Sequence, residues 1–104
     1  MDIRIDTRHV QASDDLQAEI RDKIESMQRF FEKITSCHVV LDSEHADKKC
    51  EIVMSIMGAT VTGKAKEETL HKAVESALEK VERQLKKNNE KIKTHKATKA
   101  ALGE

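Results

Sequence analysis

Cationic side chains that can bind phosphate are concentrated in one short segment near the end of this 104-residue sequence. Residues 80–99 contain eight Lys or Arg and two Glu, a net charge of +6, whereas residues 1–79 contain 11 basic and 16 acidic residues. Clustered cations create a local field that attracts phosphate groups even though the whole chain is neutral. The charge distribution therefore predicts a polyanionic partner such as nucleic acid.

The cations of this segment are also sorted by side on a predicted helix. At about 100° per residue, one sector of about 100° roughly opposite the apolar stripe carries four of them and one earlier cation of the same helix: Lys80, Arg83, Lys87 and Lys91, with Lys72. The acids Glu75, Glu79 and Glu82 fall on a separate flank. The alternative interpretation is a solvated face on which Lys and Glu serve solubility. Sorted signs fit that alternative less well, and they favour a nucleic-acid contact.

An earlier predicted helix carries a second, weaker group of cations. Arg29 and Lys33 lie one turn apart on its outward face, and Lys23 lies at the edge of its apolar stripe. Glu19 and Asp22 are nearby, which reduces the local positive charge. The spacing allows the two helices to form one continuous basic surface but does not require it.

Residues that could bind a metal or perform catalysis are few. Cys37 and His38 are adjacent on a predicted strand, so their side chains point to opposite faces and cannot readily share one ion. We interpret Cys37 as a core residue, and His38 and His71 as surface residues. The chain has no nucleophile elbow, no glycine-rich phosphate loop and no spaced carboxylate–histidine set. The sequence predicts a binding protein with no metal, no cofactor, no small-molecule substrate and no enzymatic activity.

Composition excludes further classes of protein. Phe30 and Phe31 are the only aromatic residues, which argues against an aromatic platform for base stacking. No apolar run of about 18 residues exists, so we expect no transmembrane helix and no membrane partner. The N-terminus does not resemble a signal peptide, and two distant cysteines do not suggest a disulfide framework. We therefore expect a cytoplasmic protein with reduced thiols.

Apolar periodicity predicts the order of the elements. Strands are predicted at residues 2–7, 37–42, 50–56 and 59–65, with a turn at Gly58. A helix of about 20 residues is predicted to begin after Ser13, with an apolar stripe that includes Phe30, Phe31 and Ile34. Glu67 and Glu68 are predicted to open a second, long helix. This is an α+β, βαβββα fold: a four-stranded sheet with two helices packed on one face and the other face in solvent.

The second helix is predicted to lose its packing near residue 90, because after Leu85 only Ile92 continues the apolar stripe. We therefore expect residues 1–90 to form a single domain and residues 91–104 to form a basic, mobile tail.

The segment Glu79–Lys87, with the sequence EKVERQLKK, follows Leu70–Val74 and resembles the last helix of one bacterial family. This is the family of ribosome hibernation-promoting factor and ribosome-associated inhibitor A. The strand Ile3–Ile5 and the strand His38–Leu41 match in the same order, so the resemblance covers residues 1 to about 95. The basic tail, and the absence of a C-terminal dimerisation domain, make the chain most similar to the short form.

The resemblance implies a domain similar to double-stranded RNA-binding domains that binds the small ribosomal subunit and its 16S-type rRNA. It also implies a position in the mRNA and tRNA channel, inhibition of translation, and stabilisation of inactive ribosomes, single or dimeric. Two departures are Ser26 where relatives often have a lysine, and Thr69-Leu70-His71 in place of Asp-Met-Tyr. From the resemblance and the charge pattern together, the predicted rRNA-binding residues are Lys23, Arg29, Lys33, Lys80, Arg83, Lys86, Lys87 and Lys91.

Two other functions are open, and the first of them shares the same basic face. One is a general double-stranded RNA-binding module that is not specific to ribosomes. The other is an oligomerising protein that uses the tail as a helix, whereas the ribosome-binding interpretation predicts that the free protein is a monomer.

Overall fold

The structure, a computed structural model, describes residues 2–31 and 33–97, and of residues 88–97 it describes the backbone. Its elements follow the predicted βαβββα order and are β1 (Asp2–Arg8), α1 (Asp14–Phe30), β2 (Ile34–Glu44), β3 (Asp47–Ile56), β4 (Ala59–Glu67) and α2 (Leu70–Ala97). The predicted fold class is therefore confirmed for the order of the elements.

The four strands form one mixed sheet in the order β1-β2-β3-β4. β1 pairs parallel with β2, with Ile3 opposite Cys37, because α1 carries the chain across the sheet between them. The other two pairs are antiparallel hairpins. Their turns contain His45 and Gly58, at φ angles of 58° and 83°, the left-handed region that such reversals use.

Both helices pack on one face of the sheet. The buried residues of the strands alternate with exposed or half-buried ones, so that Val39, Leu41 and Ile52 face the helices. α1 contributes Ile20 and Ile24 to the same core. α2 contributes six buried residues, Ala73, Val74, Ala77, Leu78, Val81 and Leu85, and its half-buried Leu70 packs against them.

Both cysteines lie in this core, as predicted for Cys37. Burial raises the pKa of the Cys37 and Cys50 thiols to about 12, so they stay protonated and unreactive at neutral pH.

Residue Gly63 on β4 allows α2 to approach the sheet closely. A Cβ atom at this position would lie 2.5 Å from the carbonyl oxygen of Ala77 and 2.7 Å from Cγ2 of Val81. Only glycine fits here, and the contact sets the height of α2 above β4.

The start of α2 differs from the prediction. Glu67 is the last residue of β4, and the first turn of α2 contains no acid, so the prediction that Glu67 and Glu68 open the helix is wrong. The cap is Thr69, whose Oγ1 accepts a hydrogen bond of 3.1 Å from the backbone N–H of Lys72. At α1 the predicted cap is confirmed, since Oγ of Ser13 accepts from the N–H of Leu16 at 3.1 Å.

Removing the cap of α2 is expected to destabilise the domain. Thr69→Ala leaves the N–H of Lys72 without its side-chain acceptor, which should lower the free energy of unfolding by about 1 kcal/mol. Urea denaturation followed by circular dichroism measures this difference. Thr69→Ser keeps the hydroxyl and should retain most of the stability. Equal stability of the alanine variant and the wild type would show that Thr69 is not the cap.

Several element boundaries also differ from the prediction. α1 ends at Phe30, and Ile34 is the first residue of β2, not part of the helical stripe. Phe30 is exposed, so its assignment to the apolar stripe is wrong. β3 begins at Asp47, three residues early, because pairing with β2 extends through a charged segment.

The backbone of α2 continues to Ala97, beyond residue 90, where the sequence predicts the domain to end. The division at residue 90 and the mobility of residues 91–104 stay predictions, and residues 98–104 lie outside the described part of the chain.

Candidate nucleic-acid interface

The acidic flank of α2 faces α1. The carboxylate of Glu75 lies 3.7 Å from Nζ of Lys23 and 3.2 Å from Nε2 of His71. Glu19 on α1 lies 3.2 Å from the same ammonium group and 3.4 Å from the same imidazole nitrogen. These four side chains link the two helices across their outer edge. The predicted rRNA-binding residue Lys23 therefore has two carboxylate neighbours.

Between the helices runs an open groove of about 460 Å³. Its floor is apolar, with the buried side chains of Met27 and Leu78. Its polar wall on the side of α2 is acidic, with Glu75, Glu79 and Glu82. The two helices do pack side by side. The sequence allowed a continuous basic surface across both of them, but this acidic groove interrupts it.

On the side of α2 away from α1, the side chains of Lys80 and Gln84 reach the edge of the sheet. Nζ of Lys80 donates a 2.6 Å hydrogen bond to the backbone oxygen of Lys64, and Nε2 of Gln84 donates a 2.5 Å hydrogen bond to that of Thr62. β4 is an edge strand, so its outward carbonyls have no neighbouring strand to satisfy them. Lys80 thus secures α2 to β4, which the sequence could not reveal. Its ammonium group has two further N–H donors for a phosphate.

The central cations of the predicted stripe are Arg83 and Lys87. Both are exposed, and neither forms an ion pair with any acidic side chain that the structure describes. Lys86 is exposed too, but it lies 3.9 Å from Glu82 one turn earlier. Arg83 and Lys87 therefore carry positive charge that no described carboxylate offsets. The side chain of Lys91 lies outside the described ones.

The predicted residues Arg29 and Lys33 lie where α1 ends and β2 begins. Both are exposed, and no carboxylate in the described part of the chain pairs with them. They are further exposed cations at the C-terminal end of α1. The structure therefore divides the predicted residues with described side chains into three groups. Lys23 and Lys86 have carboxylate neighbours, and Lys80 binds the sheet edge. The other four are exposed cations without a described carboxylate partner: Arg29, Lys33, Arg83 and Lys87.

The open face of the sheet carries charges of both signs. Lys66 lies 3.9 Å from Glu44 and 3.8 Å from Asp47, and Lys64 lies 3.8 Å from Glu51. Because these cations have carboxylate neighbours, we expect this face to bind phosphate more weakly than the surface around Arg83 and Lys87.

His38 lies on the same open face, where we predicted a surface residue. Its Nε2 is 2.6 Å from Oδ2 of Asp6, and Nε of Arg4 is 3.1 Å from the same oxygen. The hydrogen bond from His38 is the main reason why the pKa of Asp6 lies below its usual value. Among the residues that the structure describes, no group of three or more His, Cys, Asp or Glu could hold a metal ion.

No helix in the described ranges is long and apolar enough to span a membrane.

Comparison with known proteins identifies the family. Residues 3–93 match the family described as Sigma 54 modulation protein / S30EA ribosomal protein. The chain belongs to this family. The match contains every cation of the predicted rRNA-binding set, and it confirms the resemblance found from the EKVERQLKK segment.

The chain is also similar to curated proteins along most of its length. The chain is 31% identical over 91 residues to the ribosome hibernation promoting factor of Pseudomonas putida, covering 88% of this chain and 89% of that protein. It is 23% identical over 95 residues to the ribosome hibernation promoting factor of Escherichia coli K12, covering 91% of this chain and 100% of that protein.

Two solved structures share the fold. A ribosomal subunit interface protein from Coxiella burnetii superposes with a TM-score of 0.80 at 22% identity, covering 86% of this chain and 98% of that one. The N-terminal domain of Thermus thermophilus Protein Y gives a TM-score of 0.75 at 21% identity, covering 84% of this chain and 98% of that one.

Proposed function

We propose that this protein is a ribosome hibernation factor that binds the small ribosomal subunit in the mRNA and tRNA channel. Occupancy of the channel inhibits translation and keeps ribosomes inactive in the cytoplasm. Membership of the S30EA family and the names of the curated relatives support hibernation. The observation that carries the rRNA contact is the pair Arg83 and Lys87, exposed on α2 and not offset by any described carboxylate.

The charge arrangement suggests how the domain would be oriented on rRNA. Arg83 and Lys87 would neutralise backbone phosphates and release their counterions, and Lys80, held against β4, would add a third contact. The acidic groove formed by Glu75, Glu79 and Glu82 would repel phosphates on the other side of α2. Phosphates would therefore be kept out of the groove, and the shape of the domain would select the site on folded rRNA.

Sedimentation tests the proposal. We expect the protein to travel with purified small subunits in a sucrose gradient at low salt, and to dissociate as salt increases. With about four to five phosphate contacts, the logarithm of the binding constant should fall with the logarithm of salt with a slope of about −3 to −4. A protein that stays at the top of the gradient at low salt would refute the proposal.

Two controls separate the related interpretations. A gel shift with naked double-stranded RNA distinguishes a general duplex-binding module, which would bind such RNA as tightly as it binds small subunits. Gradients that contain complete ribosomes show whether the protein leaves them single or converts them into dimers.

A further inference from the structure

Two large apolar side chains are exposed in the described part of the chain, and both lie at one end of the domain. Phe30 is 79% exposed and Met57 is 74% exposed. Phe30 is the last residue of α1, and Met57 is in the turn between β3 and β4. The backbone N–H of Met57 donates a 3.2 Å hydrogen bond to the carbonyl oxygen of Lys33, which places this turn beside the residues that follow α1.

The exposure of Phe30 follows from the way in which α1 ends. The N–H of Phe31 still bonds to the carbonyl oxygen of Met27 at 2.9 Å, but its backbone angles have left the helical region. Phe31 packs partly against the core. Phe30, one residue earlier, is turned by about 100° around the helix and faces solvent. Of the two aromatic residues in the chain, one therefore stabilises the fold and the other is available for binding.

Two cations lie close to the exposed ring in the chain, with the acidic Glu32 between the ring and the second of them. Arg29 precedes Phe30 in the chain and Lys33 follows within the next turn, and neither is paired with a described carboxylate. An unpaired nucleotide fits this combination, because its base can stack on an aromatic ring while its flanking phosphates meet cations. An apolar protein segment covering Phe30 would bring the two cations close to an interface that offers them no negative partner.

We propose that Phe30 stacks on one unpaired base of the bound RNA, with Arg29 and Lys33 on the phosphates that flank it. This inference rests on the proposed function and adds a single-stranded contact to the phosphate contacts of α2. It also revises the expectation that low aromatic content excludes base stacking. That expectation holds for a platform that binds several bases, whereas a single exposed ring is enough for one base.

The chain provides a direct optical test, because it contains no Trp and no Tyr. Phe30→Trp introduces one fluorophore at the proposed site, and Ala18→Trp introduces one at an exposed position in the first half of α1. Each variant is titrated with a single-stranded oligoadenylate and with polyphosphate of equal charge, to saturation as judged by gel shift or competition. Stacking predicts that RNA strongly quenches the indole fluorescence of the Phe30→Trp variant and that polyphosphate quenches it little. The fluorescence of the Ala18→Trp variant should change little with either polyanion.

Two results of this titration would overturn the proposal. One is equal quenching of the Phe30→Trp variant by RNA and by polyphosphate, which would show a response to charge alone. The other is no quenching of that variant by saturating RNA, which would show that the bound RNA does not stack on the ring.

Binding to small subunits tests the same contact in the complex. Phe30→Ala should raise the dissociation constant about tenfold or more, and Phe30→Trp should preserve binding. Phe30→Leu keeps apolar area but removes the ring, so stacking predicts a loss close to that of alanine. Wild-type affinity for the leucine variant would instead indicate an apolar contact with a ribosomal protein, and would overturn the proposal.

Binding measurements with small subunits distinguish failure of the stacking proposal from failure of the proposed function. If the wild type binds small subunits and Phe30→Ala binds equally well, stacking is refuted and the proposed function stands. If the wild type does not bind, the proposed function itself is refuted. Because the ring is exposed, all three variants at this position should retain the circular dichroism spectrum and the urea midpoint of the wild type.

Discussion

The double substitution Arg83→Glu/Lys87→Glu is expected to abolish binding to the small ribosomal subunit at about physiological salt. Hydrogen bonds to charged groups contribute about 1.5–3 kcal/mol each, so the loss of two corresponds to about a hundredfold weaker binding or more. Two new carboxylates facing phosphates add repulsion to that loss. Sedimentation with purified small subunits over a range of salt concentrations measures the effect.

The variant should fold normally, because both side chains are exposed and no described ion pair is lost. Its free energy of unfolding should stay within about 0.5 kcal/mol of the wild type. The salt dependence provides a second readout. With two fewer phosphate contacts, any residual binding should show a slope reduced by about two.

A matched control makes the same change of charge on the other side of the sheet. Lys64→Glu/Lys66→Glu replaces two cations on the open face that already have carboxylate neighbours. The backbone oxygen of Lys64, which binds Lys80, is unaffected by this change. This control should bind much better than the α2 variant. An equal loss in both would mean that only net charge matters, and unchanged binding of the α2 variant would refute the assignment of this interface.

The second large effect is expected on stability, from Gly63→Ala. A methyl group here would meet the carbonyl oxygen of Ala77 at 2.5 Å and Cγ2 of Val81 at 2.7 Å, so α2 must move away from β4. Overpacking of this kind typically costs about 1–3 kcal/mol, and the upper end is expected because one obstacle is backbone. For a small domain, this is a large part of a total stability of about 5–15 kcal/mol. Urea denaturation measures the difference.

Gly58→Ala is the comparison for this prediction. Gly58 has a φ angle of 83°, but nothing lies within 4 Å of an added Cβ atom. Its cost should be the backbone strain alone, about 1 kcal/mol. We expect Gly63→Ala to be the more destabilising of the two. The reverse order would mean that α2 can shift at little cost, and that Gly63 does not set its position.

Local periodicity predicted the elements well where apolar and polar residues alternate without interruption. It underestimated β3, because Asp47, Lys48 and Lys49 look like a polar connection although their backbone pairs with β2. It extended the stripe of α1 too far, because Phe30, the last residue of the helix, and Ile34, the first residue of β2, continue the spacing of three and four residues. It misplaced the start of α2, because Glu67 and Glu68 are acceptable helix-opening residues whereas Thr69 is the actual cap.

Helical periodicity also predicted part of the candidate interface. Helical geometry alone separates Arg83 and Lys87 from the apolar stripe of α2, and the structure leaves both exposed. The same geometry cannot tell which element a flank faces. That Glu75 meets Lys23, and that Lys80 binds β4, depends on how the two helices lie on the sheet.

The sequence by itself determined the charge separation, the order of the elements and the side of each helix that faces the core. These properties depend on residues that are close in the chain. Only the tertiary structure decided which cations are offset, which one binds the sheet edge, and which of two adjacent phenylalanines is exposed. Those outcomes depend on contacts between residues distant in the chain, such as Lys23 with Glu75 and Lys80 with Lys64. Such contacts form only when both helices pack on the same face of the sheet.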